Sequence, residues 1–384
     1  MAVDDGFTDS ESSSKQSSTD NIGKDTIERI VNSVSPDAFN EWHQEKEFAE
    51  NIRNGTPYFN GPTDPKPPSR HSPSSLLQCH RKTFYKQLNA PAESSDPKGI
   101  FWIGSRFEED VALPFLREVV ADTDEYVTNS LWVDFTVQTD AGDIQIKGKT
   151  DPVIVDADSK PRLLTEIKTK KSVEDLKTPS SHHRAQAHAY MCGLSEKNDR
   201  DITDAIILYG GRTNLNIQPF HIKFDPAFWR RTVLKWAAKH TKYRLHEELP
   251  PADPEHGWEC KFCSYQERCG KGDSEYTDVG SSGLLPGVAK YPKPKVVEYL
   301  EAHDEAKLTP TLAKQYPELT VQYRVTEWRC TACETTFEWD YPDWDGNPSN
   351  PPLCPECVDD GAPAPLQPPS PDDQHCQRDG DADD

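Results

Sequence analysis

Eight of the ten cysteines fall into two sets of four, and this constrains the fold of the 384-residue chain more than any other sequence feature. The second set has two Cys-x2-Cys pairs separated by twenty residues: Cys330, Cys333, Cys354 and Cys357. In a cytosolic protein, such short paired spacings indicate metal ligation more often than disulfides. The spacing predicts a zinc ribbon over residues 326–360, a module too small to fold without its metal. Its acidic composition favours a protein partner or a structural role over DNA contact.

The first set has three closely spaced members and one distant member: Cys79, Cys260, Cys263 and Cys269. Three clustered thiolates need a fourth ligand to close a tetrahedral site or a cuboidal cluster. Cys79 is the upstream candidate, because the other upstream cysteine, Cys192, lies in an apolar helical stretch. The ligand type does not fix the metal, so zinc remains an alternative here, and so does a Cys79 that only packs in the core.

Composition and hydrophobic pattern divide the chain into five parts. Only 34% of the residues are hydrophobic and 33 are proline, which predicts a compact core accompanied by long polar segments. One or two short helices are expected within residues 27–52. The predicted parts are a mostly disordered region and linker (1–73), a globular domain (74–275), a linker with short helices (276–325), the zinc ribbon (326–360) and an acidic disordered tail (361–384).

Two periodicities in the globular part predict an α/β fold. A helical stripe has apolar residues four positions apart: Phe107, Val111, Phe115 and Val119. A half-buried strand has apolar residues in alternation: Leu131, Val133, Phe135 and Val137. Further strands and helices alternate with these up to a long basic helix that precedes the first cysteine cluster.

The net charge of −22 repels phosphates when it is taken alone. A diffuse acidic surface is also how proteins of a very salty cytoplasm stay soluble, and salt shortens the range of its field. Two stretches, 168–184 and 230–244, are locally basic and predict either a phosphate-binding groove or a solvated helix face. The chain has no run of about 18 apolar residues and no signal-like N-terminus, so we expect a cytoplasmic protein without a membrane partner.

An ordered set of acidic, basic and amide residues runs through the globular part. Glu108 lies on a helix, and Asp151 ends the segment Gly148-Lys149-Thr150-Asp151. The tripeptide Glu166-Ile167-Lys168 follows on an apolar strand. Gln186 and Tyr190 then stand four apart on one face of a helix, where they can clamp a DNA backbone or support metal ligands.

This set suits phosphodiester hydrolysis, which needs an activated water and neutralisation of charge on the reacting phosphate. One or two Mg²⁺ or Mn²⁺ ions supply both, and such hard cations bind carboxylate and carbonyl oxygens. Asp151, Glu166 and the carbonyl of Ile167 can converge on one ion. Lys168 shares a strand face with Glu166 and can orient the water and offset charge. A single Glu-x-Lys is usually only a cross-strand ion pair, so the prediction depends on the ordered set.

These residues resemble the PD-(D/E)XK nuclease superfamily, specifically its RecB-like branch. The segments ending at Asp151, Lys168 and Tyr190 match that branch's second, third and Gln-x-x-x-Tyr motifs. The branch often has histidine four residues after a glycine of the first helix, whereas here Glu108 follows Gly104 at that spacing. Since a carboxylate also binds metal, Glu108 is retained as a metal ligand.

The resemblance implies a restriction-endonuclease-like core, a mixed central sheet flanked by helices. It also implies a DNA exonuclease acting on single-stranded ends, in CRISPR adaptation or in DNA recombination and repair. The first cysteine set is similar to that of CRISPR-associated exonucleases, in which one N-terminal and three C-terminal cysteines bind a [4Fe-4S] cluster. The alternative function is a non-catalytic iron–sulfur and zinc protein that binds nucleic acid or acts as an adaptor.

Overall fold

A computed structural model describes residues 27–53, 65–273, 276–288 and 291–374. The chain consists of two compact units, Met1–Gly61 and Pro62–Asp384. In the first unit, residues 27–33 and helix α1 (Pro36–Arg53) are helical, as the sequence predicts for this stretch. Most of the disorder expected at the termini, within 1–26 and 375–384, lies outside the described residues. None of the helices that the structure describes combines the length and apolar character needed to cross a membrane.

The second unit is built on a mixed five-stranded sheet. Its strands follow the spatial order β2-β5-β6-β7-β8, and only β6 and β7 are parallel. Helix α5 (Ser181–Asn198) makes the crossover between these two strands, as a parallel pair requires. The strands are β2 (Glu125–Thr128), β5 (Val153–Asp156), β6 (Pro161–Lys170), β7 (Asp204–Gly211) and β8 (Ile217–Lys223). The mixed α/β fold with flanking helices is confirmed.

A smaller sheet has the order β1-β4-β3, formed by Arg70–His71, Gly142–Lys149 and Trp132–Thr139. Val133 and Phe135 of β3 are buried, as the alternating pattern predicts. Strand β1 pairs with β4, so the folded unit begins before Ser74, within the segment that was predicted to be a linker. The prolines of this segment concealed β1, which is only two residues long.

Helices cover the two sheets. They are α2 (His80–Gln87), α3 (Lys98–Phe107), α4 (Leu113–Phe115), α6 (Pro226–Phe228) and α7 (Leu234–Leu245). Two π-helical segments, Glu108–Ala112 and Leu116–Val120, extend α3 and flank α4. Because a π turn holds more residues than an α turn, the apolar face rotates. Phe107 is therefore buried as predicted, whereas Phe115 and Val119 at the end of the predicted stripe are exposed.

Residues 276–325, predicted to be a linker with short helices, do contain short helices, but these pack together as a small folded module. Helices α8 (Lys293–Ala302) and α9 (Pro310–Gln315) enclose a buried apolar cluster that includes Leu284, Tyr291 and Leu312. The apolar residues are spread between many prolines and glycines, so they show no regular period. The buried guanidinium of Arg268 joins this module to the first cysteine loop by donating to the carbonyls of Gly280, Ser282 and Gly283.

The ribbon region has three short strands and one helix. Strands β9 (Trp328–Cys330), β10 (Thr336–Phe337) and β11 (Leu366–Gln367) form one antiparallel sheet, and α10 (Pro355–Asp359) carries the second cysteine pair. The predicted tail therefore contributes a strand to the ribbon. Gln374 is also fully buried and hydrogen-bonded to Leu284, so the chain is ordered well beyond residue 360.

Candidate active site and cysteine sites

Strand β6 carries two of the predicted catalytic residues in the middle of the large sheet. Glu166 and Lys168 are two positions apart, so their side chains share one face of the strand. Glu166 is fully buried, whereas Lys168 is partly exposed. Lys168 Nζ contacts Glu166 Oε1 as an ion pair. The strand thus presents a buried carboxylate with an ammonium group at the protein surface.

Asp151 reaches the same place from the junction between the two sheets. The chain leaves the smaller sheet at Lys149 and enters the large sheet at Val153, and Asp151 lies in the bend between them. Asp151 Oδ2 accepts a hydrogen bond of 2.7 Å from the Ile167 N–H and lies 3.8 Å from Lys168 Nζ. The structure therefore brings the predicted acid pair and lysine together.

The carboxylates of this site repel one another in a poorly solvated position. Burial, with the neighbouring Asp151 charge, raises the pKa of Glu166 to about 8. Glu166 Oε1 is paired with the ammonium group of Lys168, whereas Oε2 has no hydrogen-bond partner among the described residues. Burial opposes the charge on Lys168, but Glu166 and Asp151 outweigh it and raise the pKa of the ammonium group. Lys168 therefore stays protonated. Its single positive charge does not balance the negative charges of both Asp151 and Glu166.

Glu108 lies at the edge of the same electrostatic site. It begins the π-helical segment that follows α3, an irregularity often found at functional sites. Burial raises its pKa to about 7, and the Asp151 charge adds to this effect. Its pKa thus responds to the same neighbours as Glu166. In the described part of the chain, these carboxylate oxygens do not all lie within 4.8 Å of one another.

The predicted Gln186 and Tyr190 support the site from behind. Tyr190 Oη donates a hydrogen bond of 2.7 Å to the carbonyl of Lys149, two residues before Asp151. Gln186 Nε2 donates to Tyr190 Oη at 3.4 Å. Both side chains are buried, which favours support of the backbone that leads into the bend at Asp151 over a clamp on DNA.

Sequence reasoning missed Tyr209, which lies directly opposite Lys168 on β7. Its hydroxyl bonds to His183 at 2.6 Å, and its ring lies below the ammonium group of Lys170. Burial, His182 and the two lysines lower the pKa of His183 to about 2, so His183 is neutral. The sequence carried no signal for Tyr209, because its place beside Lys168 depends on the parallel pairing of β7 with β6.

The two predicted basic stretches differ in how much positive charge they expose. Along the helix that ends with α7, Arg230, Arg231, Lys235 and Lys239 are exposed. Arg244 is instead buried, with hydrogen bonds to Gln87 and the Lys66 carbonyl. Near the carboxylates, the neutral His183 removes one expected charge. The exposed basic surface is therefore smaller than the sequence count suggests.

The first cysteine set meets at one cavity. Its four members line a cavity of about 40 Å³, and all four are free thiols. Cys79 immediately precedes α2, and the other three lie on the loop after α7. Burial raises the pKa of Cys79 and raises that of Cys263 to about 11. Their sulfur atoms do not all lie within 4.8 Å of one another among the described residues.

The second cysteine set is tighter. The Sγ atoms of Cys330 and Cys357 are 3.7 Å apart, and those of Cys333 and Cys354 are 3.6 Å apart. All four sulfurs lie within 4.8 Å of one another. Tetrahedral ligation at a Zn–S distance of ~2.3 Å requires sulfurs about 3.8 Å apart. The group can thus hold a zinc ion or an iron–sulfur centre.

The family model of the PD-(D/E)XK nuclease superfamily matches residues 40–270. The chain belongs to this superfamily. This PD-(D/E)XK protein is therefore a metal-dependent nuclease that acts on nucleic acid. The match includes Asp151, Glu166 and Lys168 and all four members of the first cysteine set, and it ends before the 276–325 module and the ribbon.

Comparison with solved structures gives 18% sequence identity to "Crystal structure of SSO0001", with a TM-score of 0.37. That similarity covers 59% of this PD-(D/E)XK chain and 93% of the other chain. No curated protein sequence matches the chain.

Proposed function

We propose that the protein is a metal-dependent DNA exonuclease that hydrolyses phosphodiester bonds at single-stranded ends, in CRISPR adaptation or in DNA recombination and repair. The observation that carries the chemistry is the convergence of Asp151, Glu166 and Lys168 at the central strand β6 of the large sheet. Exonuclease action, the DNA substrate and the pathway follow from the resemblance of the three motifs to the RecB-like branch.

The donor set suits a divalent cation. Glu166 offers a buried carboxylate whose Oε2 has no hydrogen-bond partner among the described residues, and Asp151, the Ile167 carbonyl and Glu108 supply further hard oxygen donors. We assign Mg²⁺ or Mn²⁺ to these residues. When bound, the ion supplies Lewis-acid stabilisation and an acidified water. Tyr190 and Gln186 position the end of β4, from which the chain enters the bend at Asp151.

Lys168 supplies the positive charge that the protein itself contributes to the reaction. Its ammonium group remains charged beside two carboxylates, so it donates hydrogen bonds and does not remove a proton. Placed at the reacting phosphate, it orients the attacking water and offsets the negative charge that develops on the phosphate oxygens. The exposed basic residues of the helix that ends with α7 then attract the DNA backbone.

We assign a [4Fe-4S] cluster to the first cysteine set and Zn²⁺ to the second. Sulfurs that share a cavity without closing to 4.8 Å suit a cluster larger than one ion, whereas the spacing of the second set suits a single zinc ion. The cluster would fix Cys79 to the loop that follows α7, and the ribbon offers a surface for a protein partner.

The test is cleavage of a labelled single-stranded oligodeoxynucleotide with Mn²⁺ or Mg²⁺. Asp151→Ala and Lys168→Ala each lower the cleavage rate by at least about 100-fold, as expected for lost charge stabilisation. Both variants keep the folded circular dichroism spectrum. The matched control is Asp134→Ala, which removes an exposed carboxylate of the smaller sheet, and it retains activity. Unchanged cleavage by either site variant contradicts the assignment.

Two further readouts separate the finer claims. An exonuclease leaves closed circular single-stranded DNA intact, so cleavage of the circle indicates an endonuclease. The non-catalytic alternative predicts DNA binding without cleavage in either metal. The presence of Asp151, Glu166 and Lys168 together argues against this alternative. A site that has lost its activity is free to lose any of the three residues.

A further inference from the structure

One turn of α3 is apolar around its whole circumference. A surface helix normally carries an apolar stripe on one side only. Here Gly104 faces Thr169 of β6, and Phe107 packs against Gly210, so the core lies on one side of the helix. The turn nevertheless exposes four consecutive large apolar side chains: Ile100 (48%), Phe101 (60%), Trp102 (57%) and Ile103 (39%). We call this turn the α3 platform.

The platform points along the helix towards the catalytic carboxylates. Phe101 and Glu108 are seven positions apart, so they share one helical stripe, about 10.5 Å apart along the axis. The middle of α3 lies against Thr169, two residues before the exposed Lys171 that follows β6. A strand lying along α3 thus meets aromatic rings at one end, Glu108 at the other and the ammonium group of Lys171 near the end of β6.

We propose that the α3 platform is a base-stacking subsite that holds nucleobases of the bound strand about two or three nucleotides from the scissile phosphate. This inference rests on the proposed nuclease function. Exposed aromatic rings stack on any base, and neighbouring lysines follow the backbone phosphates. Continuity with the catalytic residues and the adjacent positive charge favour nucleic acid over a protein partner as the occupant. Stacking requires unpaired bases, so a paired duplex cannot use the subsite.

The binding test uses a fluorescent single-stranded oligodeoxynucleotide and Asp151→Ala protein, which holds DNA without cutting it. Phe101→Ala and Trp102→Ala in this background each weaken binding about five- to 150-fold, the range of one lost base stack. The matched control is Tyr126→Ala, because Tyr126 is equally exposed but lies on β2 at the edge of the sheet. Control binding stays unchanged, and thermal unfolding verifies that each variant is folded.

Abasic substrates locate the subsite. One abasic nucleotide, moved stepwise from the cleaved bond, weakens binding most at about the second or third position. That loss disappears in the Phe101→Ala/Trp102→Ala double variant, because the stacking partner is already absent. In otherwise wild-type protein the same pair raises KM more than it lowers kcat.

Three outcomes contradict the stacking proposal. The first is unchanged DNA binding by the double variant, and the second is an equal abasic effect at every position. The third is self-association of the protein that the double variant abolishes, which assigns the face to a protein contact. Failure of the nuclease proposal looks different, because the otherwise wild-type protein then cuts no substrate although the abasic pattern in binding persists.

Discussion

The two cysteine sets use the same ligand chemistry but are assembled in opposite ways. The second set lies within 28 residues, and its sulfurs pair at 3.6 and 3.7 Å. The first set joins Cys79 to a loop about 180 residues later and surrounds a cavity without comparable closeness. Backbone N–H groups of the knuckle lower the pKa of Cys330 to about 7, whereas burial raises that of Cys263 to about 11.

This difference shows two ways of preparing a metal site. In the second set, backbone donors lower the pKa of Cys330, whereas burial raises the pKa values of Cys354 and Cys357. All four ligands of this set lie within the ribbon itself. In the first set, burial raises the pKa values of Cys79, Cys263 and Cys269. The packing of α2 against the loop after α7 brings the four cysteines of this set to one cavity. A metal bound by the first set would therefore stabilise the nuclease fold, whose packing forms the site.

The largest effect is expected in the ribbon. Cys357→Ala removes one of four zinc ligands, and structural zinc contributes about 10–16 kcal/mol to modules of this kind. Zinc is lost and residues 326–360 become sensitive to protease, while iron in the first set and DNA cleavage persist. Metal analysis and limited proteolysis measure both. Full zinc content in this variant contradicts the assignment.

A smaller effect is expected for Cys79→Ala. The cluster cross-links a loop of about 190 residues, for which the chain-entropy argument used for disulfides gives about 5 kcal/mol. Iron and the visible absorption are lost, the nuclease unit unfolds at lower denaturant concentration, and zinc remains. Cys192→Ala is the control, since Cys192 belongs to neither set, and it keeps both metals. An iron content that survives Cys79→Ala removes Cys79 from the site.

The smallest expected effect is a loss of stability at acidic pH, caused by protonation of His71. Burial, Arg244 and His80 lower the pKa of His71 from 6.5 to about 4, and its ring bonds to Thr241 at 2.9 Å. A lowered histidine pKa gives stability that is complete above pH 6.5 and is lost as the pH falls towards 4, because the unfolded state binds the proton more tightly. The full loss is about 3 kcal/mol. This loss of stability affects the part of the chain that contains the nuclease core and His71, which we call the nuclease unit. The ribbon (326–360) contains no histidine, so it does not contribute to the loss.

Urea unfolding at pH 7 and pH 4.5 measures this acid effect. His71→Gln makes the stability of the nuclease unit less dependent on pH, whereas a glutamine at the exposed His246 does not. An equal pH dependence in both variants contradicts the role of His71. The comparison uses the difference between the two pH values, since His71→Gln also changes stability at pH 7.

Much of the fold was predictable where the signal is local. The alternation of β3 and the mixed α/β class follow from side-chain periodicity, which reflects which face of a strand meets the core. The helical stripe ending at Val119 was only partly right, because π turns rotated its face. The 276–325 module escaped prediction, because its buried residues have no regular period and its polar groups are satisfied by distant partners such as Arg268.

In the site, too, the residues related by short spacings were predictable and those brought together by tertiary packing were not. The spacing of Glu166 and Lys168 on one strand placed them on one face, and the two knuckles specified the second cysteine set. Tyr209 and the carbonyl partner of Tyr190 had no signal of their own in the sequence. They become neighbours only because β7 pairs in parallel with β6 and because α5 crosses behind the bend at Asp151.

By itself, the sequence determined the chemistry that is available: which residues can bind metal, which strand face holds the acid and lysine, and which thiols form a knuckle. These properties depend on spacings of two to four residues, which the backbone geometry of a strand or turn converts directly into distance. Tertiary structure alone decided that Asp151 meets Ile167, that Cys79 meets its loop and that an apolar turn of α3 remains uncovered. Such long-range meetings depend on the packing of whole elements, which no local spacing encodes.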